Sequence, residues 1–240
     1  MNVVVNQTLI FFNFIKDTRS LMRLFKILCS FIFLLVFCNI ICIHYDLHQP
    51  ILDPGISHKL YHFIAVGSDN RLADYILRGF YFSTSLLILV IFLTERKGIY
   101  LFFSVLNIFI WVSTTFGYHA KVAMIIKQYF EANIFINGEF EIFAWLIMFF
   151  IFLPFFIKCI CNVKIEDIGI ITLLLLSFIL LCFFAIFIDY MSELLIVYFG
   201  FYSIVLSLVE EGGELIVGSI TFIIALSALL IKSQNWKRLN

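Results

Sequence analysis

The residues in this chain best placed to do chemistry are five: His119, Asp189, Glu210, Glu211 and Glu214. Ser207, Glu211, Glu214, Gly218, Thr221, Ala225 and Ala228 follow one another at spacings of 4, 3, 4, 3, 4 and 3, which puts them on one face of a helix. The positions between them are almost all Leu, Ile, Val or Phe, so the two glutamates point with the small residues into a helix bundle rather than into lipid. Glu210 stands four residues before Glu214, at the edge of that stripe. Three carboxylates within five residues repel one another and cannot all stay ionised where water is scarce, so protons or a cation must neutralise them. The simpler reading is that they cap the helix N-terminus, where the dipole favours negative charge.

His119 closes an earlier apolar segment at the depth expected for these glutamates, on a face shared by Ser104, Asn107, Trp111, Thr114 and Tyr118. Asn107, near the middle of that segment, is expected to hydrogen-bond another helix. Asp189 ends a further apolar segment, with Ala185 and Cys182 below it on the same face, and Glu141 opens another. A pocket shared by His119, Asp189 and the glutamates suits a divalent metal ion as cofactor, a proton relay, or general acid–base catalysis. No H-E-x-x-H zinc signature, G-x-S-x-G elbow, P-loop or dinucleotide fingerprint occurs. The pairs His44/His48 and His58/His62 have chelating spacing but read more simply as interfacial histidines. The six cysteines (Cys29, Cys38, Cys42, Cys159, Cys161 and Cys182) all lie in or beside apolar segments and read as small apolar residues.

The elements that must position these groups are membrane helices. Of 240 residues, 63% are hydrophobic and 13% charged, and mean hydropathy is +1.07. That leaves too little polar surface for a water-soluble globule, which excludes a soluble enzyme and a disordered chain. Net charge is zero, with no basic stripe to neutralise phosphates, so nucleic acid is not an expected partner. Windows of about 20 apolar residues predict six spans: Leu24–Ile43, Ile76–Thr94, Ile99–Gly117, Ile142–Cys161, Ile168–Ile188 and Glu211–Ile231. With the N-terminus inside, 11 of the 16 Lys and Arg fall on the inner side and 5 on the outer, in keeping with the positive-inside rule. On that topology 12 of the 16 acids and all five histidines face outward.

A seventh apolar stretch, 194–209, is short for a span, and spanning there would move the basic C-terminal tail outside. It is therefore expected to form an interfacial or re-entrant helix. The expected organisation is a single membrane domain over residues 1–240: a cytoplasmic segment 1–23, an outer loop 45–75, the interfacial helix 194–209 and a cytoplasmic tail 232–240. Within the outer loop, Ser57 is a possible cap for a short helix over His58–Val66. Met22-Arg23-Leu24-Phe25-Lys26 resembles the start of a signal peptide, but without a small-residue cleavage site it reads as an uncleaved first span.

The run Glu210-Glu211-Gly212-Gly213-Glu214, continuing through Gly218 to Ala225, resembles uncharacterised bacterial six-span proteins whose last helix opens on Glu-Glu-x-x-Glu. Tyr81-Phe82-Ser83-Thr84 looks like the serine in an aromatic setting that such proteins carry at the start of span two, and His119 and Asp189 match two further features. The acidic pair that precedes the histidine in those proteins is Ser113 and Thr114 here, and the acid that follows it is Ala120. The resemblance implies the fold and no known activity.

The fold class expected is an all-α bundle of six transmembrane helices, N-in and C-in, in the cytoplasmic (inner) membrane of a bacterium. Three functions fit: a site in the outer half binding a cation or protons, for transport or sensing; a membrane enzyme acting on a lipid or lipid-linked substrate; and a structural or partner subunit. Expected partners are the lipid bilayer, and a protein partner or a second copy of the chain. Transport requires a polar track through the bundle, whereas an enzyme requires a pocket bearing both His119 and the glutamates.

Overall fold

The computed structural model describes residues 2–47, 72–129, 137–199 and 204–239, and every element among them is helical. In chain order these are α1 (Asn2–Asp17), α2 (Arg19–Leu47), α3 (Leu72–Glu95), α4 (Gly98–Phe116), α5 (Tyr118–Tyr129), α6 (Asn137–Ile160), a 3₁₀ turn (Ile165–Asp167), α7 (Ile168–Cys182), a π-helical turn (Phe183–Ile188), α8 (Asp189–Phe199) and α9 (Ile204–Leu239). Six stretches are long and apolar enough to cross a membrane: Arg19–Cys38, Leu72–Glu95, Gly98–Phe116, Ile142–Ile160, Ile165–Ser192 and Leu208–Gln234. They coincide with the six spans read from hydropathy, and the protein is a multi-pass helical membrane protein. The histidine pairs and the Ser57-capped helix fall outside the described side chains.

Within the apolar stretch 194–209, residues 194–199 are the last turns of α8 and 204–209 the first turns of α9, and residues 200–203 lie outside the described residues. The fifth span runs on through the π turn into α8 without a breaker, and α9, at 36 residues or about 54 Å, is far longer than a bilayer core.

Helix α3 is the hub, packed against α4 on one side and α9 on the other. Ile88, Ile91, Tyr100 and Phe103 fill the α3–α4 contact and are almost wholly buried. The seam is clasped by two serines. Ser85 Oγ donates to the Ser104 carbonyl at 2.9 Å, and Ser104 Oγ donates to the Ser85 carbonyl at 3.0 Å. Away from water such reciprocal bonds satisfy both hydroxyls while holding two helices in register. The small-residue stripe of α9 meets α3 as its spacing predicts. A Cβ at Gly218 would sit 2.9 Å from Leu77, and Ala225 and Ala228 are fully buried. Gly213 has a different neighbour, the Phe184 ring of the π turn, which occupies the space a Cβ would need.

Asn107 departs from expectation. Its amide nitrogen donates to the Phe103 carbonyl of its own helix at 2.8 Å, rather than to a neighbouring helix. That carbonyl, one turn back, is already within side-chain reach, and bonding to it needs no partner helix. Helix α1 lies across the start of α7, where a Cβ on Gly169 would be 2.5 Å from the Gln7 carbonyl oxygen, so the close crossing depends on that glycine.

Candidate functional site

The two ends of the bundle differ in charge. One end gathers the starts of α3, α6 and α9 with the ends of α4 and α7, and carries the acids singled out above; the other gathers the α3–α4 turn, the start of α7 and the last part of α9.

At the acidic end a cavity of about 330 Å³ is walled by Asp74 and Arg78 of α3, Thr114 of α4, His119 of α5, Trp145 of α6, Asp189, and Glu210, Glu211 and Glu214 of α9. All five residues singled out from the sequence therefore reach one cavity, from three separate parts of the chain. Local structure explains each placement. Helix α4 stops at Gly117, whose φ of 60° and ψ of 37° are left-handed and whose N–H returns to the Ser113 carbonyl. Glycine takes this conformation without strain. The turn brings His119 back over the helix end, where Ser113 Oγ lies 3.2 Å from His119 Nδ1 and the imidazole stacks on Trp145 with ring centres 5.5 Å apart. Asp189 follows directly on the π turn, whose Ala185 also lines the cavity. Wide turns of this kind shift the residues after them around the helix axis and recur at functional sites.

Sequence reading missed three members of this cavity: Asp74, Arg78 and Trp145. Arg78 pairs with Asp74 one turn away at 2.5 Å, and its guanidinium lies over the Tyr75 ring, 5.7 Å from its centre. A readable signal existed, since an arginine three residues into an apolar span is a functional candidate by default. Among the described residues, no group of three or more His, Cys, Asp or Glu is arranged to hold a metal ion. The cavity gathers five carboxyl groups, one guanidinium and one imidazole.

The opposite end is closed by ion pairs. Asp167, 1% exposed, accepts three hydrogen bonds: from Lys97 Nζ at 2.6 Å, Lys232 Nζ at 2.6 Å and the Tyr100 hydroxyl at 2.8 Å. Lys97 also meets Glu166 at 2.8 Å and Glu95 at 3.1 Å. This network ties the α3–α4 turn, α4, the start of α7 and α9 together. Burial alone would push the Lys97 ammonium down, but its hydrogen bonds to Asp167, Glu166 and Glu95 outweigh that and hold it above the ordinary lysine range.

Between the two ends, two polar side chains are satisfied within their own helices, whereas the fully buried Thr84 hydroxyl has no hydrogen-bond partner among the described residues. Ser177 bonds the Leu173 carbonyl at 2.9 Å and Thr221 the Val217 carbonyl at 2.7 Å, each within its own helix. The small cavity they share with Tyr81 and Asn107 is about 20 Å³, room for about one water.

Comparison with protein-family models, with curated proteins and with solved structures finds no match for this chain.

Proposed function

We propose that the protein is a receptor site in the cytoplasmic membrane of a bacterium that binds a cationic group from the outer side. His119, Asp189, Glu210, Glu211 and Glu214 form the site, with Asp74 and Arg78 in its wall. The observation that carries this is the single cavity joining the histidine to carboxylates from two other parts of the chain. Asp74 pairs with Arg78, and Asp189 and the three glutamates bring four further carboxylates to the same cavity. A protonated amine, protons or a divalent ion would each satisfy such a site, and the titration below separates them. The Asp167 network that closes the far end favours sensing or chemistry at the outer face over passage through the bundle.

The test is calorimetric titration of the protein in phosphatidylcholine nanodiscs with butylamine, Mg²⁺ and Zn²⁺, for the wild type and for Glu211→Gln/Glu214→Gln. The reading expects saturable amine binding in the wild type and its loss in the variant. Tight, stoichiometric Zn²⁺ with no amine binding turns the site into a metal centre. No binding of any cation leaves the glutamates as helix caps. A second reading, an enzyme acting on a lipid or lipid-linked substrate, is favoured by one feature: the cavity shares its Trp145 wall with an apolar crevice.

A further inference from the structure

Helix α1 exposes apolar side chains although it is not one of the six spans. It runs from near Gln7, whose carbonyl meets Gly169 at the start of α7, to Asp17, beside the start of α2. A Cβ at Gly212 would lie 3.7 Å from Val36, so that part of α2 is at the acidic end of the bundle. Arg19, about 26 Å back along the helix, is at the other. Helix α1 thus joins the feet of two spans and lies along the end that holds the Asp167 network.

The sequence of α1 gives it three faces. On the first, Phe11 is buried and Ile15 packs against the core. On the second, Asn6, Asn13 and Asp17 are all exposed. On the third, Val5, Leu9 and Phe12 follow at spacings of 4 and 3 and are 50%, 52% and 56% exposed. That third spacing continues into α2. Val5, Leu9, Phe12, Lys16, Arg19, Arg23 and Lys26 follow one another at 4, 3, 4, 3, 4 and 3, and all seven are exposed. Helical bonds persist on both sides of the junction: the Thr18 N–H donates to the Phe14 carbonyl and the Met22 N–H to the Thr18 carbonyl, each at 3.1 Å. Among the described residues, none of the four cations pairs with a carboxylate. Lys97 and Lys232, at the same end, are both held by Asp167. The stripe is therefore apolar in one half and basic in the other, and open along its length.

We propose that α1 docks on the bilayer surface at this end. Val5, Leu9 and Phe12 enter below the phosphates, and Lys16, Arg19, Arg23 and Lys26 bind the phosphates of anionic phospholipids. Charge and position select this partner over a soluble protein. The cations stand where a span leaves the bilayer, at the depth of the headgroups, and phosphate oxygens are strong acceptors for guanidinium and ammonium groups. An apolar face beside a polar one is also the form of a helix that lies in the plane of the interface. Lys26 is about 10 Å beyond Arg19, and its long side chain reaches back to the same depth. The inference is independent of the acidic cavity at the other end.

The experiment uses the full chain in nanodiscs of phosphatidylcholine with a minor fraction of phosphatidylglycerol. Electron spin resonance with either lipid spin-labelled near its chain end measures how strongly the wild type holds each. Phe12→Trp is read as a fluorescence difference from the wild type, with chain-brominated lipid and aqueous acrylamide as quenchers. The proposal expects phosphatidylglycerol to be held about threefold more strongly than phosphatidylcholine. High salt should abolish that preference by screening, and Lys16→Gln/Arg19→Gln/Arg23→Gln/Lys26→Gln should lose most of it. The indole introduced by Phe12→Trp should be quenched by brominated lipid and protected from acrylamide. Equal holding of the two lipids by the wild type overturns the proposal without any variant having to fold. A preference untouched in the folded glutamine variant overturns the assignment to this stripe. Quenching of the indole by acrylamide and not by lipid puts α1 in water and overturns the docking. Shielding from both quenchers gives the face to a second protein chain and overturns it too.

Discussion

Ser113 Oγ sits 3.2 Å from Nδ1 of His119, across the glycine turn that ends α4. Here a hydroxyl supports the imidazole, so the histidine keeps a positioning partner without a further negative charge in the cavity. Ser113→Ala should remove that partner. One hydrogen bond is worth about 1 kcal/mol, so butylamine affinity is expected to fall by about fivefold with little change in melting temperature. Unchanged affinity would show that Ser113 does not position His119 for binding.

The Asp167 network predicts a large stability effect far from the cavity. Removing the one acceptor shared by two lysines and a tyrosine leaves buried donors without their partner, a change that costs about 3–5 kcal/mol. Asp167→Ala should therefore unfold at a clearly lower denaturant concentration, whereas Glu166→Ala, whose side chain is 61% exposed, should stay within about 0.5 kcal/mol of the wild type. Equal effects of the two substitutions would mean that burial of Asp167 does not carry the network.

Alkaline stability follows from Lys97, held above the ordinary lysine range in the folded protein. Between the unfolded and folded values the native state binds the extra proton, so stability falls as pH rises there. Its contribution is fully present below about pH 10.4 and is lost as pH climbs through the folded value. Melting temperature should decline above about pH 10 in the wild type and decline less in Lys97→Met. Parallel curves would remove Lys97 as the cause.

Gly213 gives a fourth test. The Phe184 ring fills the space of a Cβ there, so Gly213→Ala should destabilise by about 1–3 kcal/mol through overpacking. Adding Phe184→Leu should recover part of that loss. Additive losses would show that the glycine is needed for something other than the ring.

The spans were legible in the sequence because a bilayer demands long apolar windows, and no tertiary contact overrides that demand. The glutamate stripe was legible for the same kind of reason: a 3-4 spacing fixes a face, and the small residues on it meet α3. His119 and Asp189 were placed by depth alone, which sufficed because both sit at helix ends on the same side of the bundle. Partners were harder to see. Asp167, Lys97 and Lys232 were counted only as charges near the inner surface, since their meeting joins positions 65 and 70 residues apart. Asn107 was assigned a neighbouring helix when its own carbonyl ladder was nearer. Trp145 carried no signal among so many aromatic residues, although its ring joins His119 to the crevice.

The central claim is that the cavity under Glu211 and Glu214 holds a cationic group. The most direct measurement is the dissociation constant for butylamine in nanodiscs, wild type beside Glu211→Gln/Glu214→Gln, with Glu166→Gln as a control at the far end. Saturable one-to-one binding, weakened at least tenfold by the glutamine pair and unchanged by the control, is the predicted result. Binding that survives the glutamine pair undiminished, or that is absent from the wild type, would contradict the account.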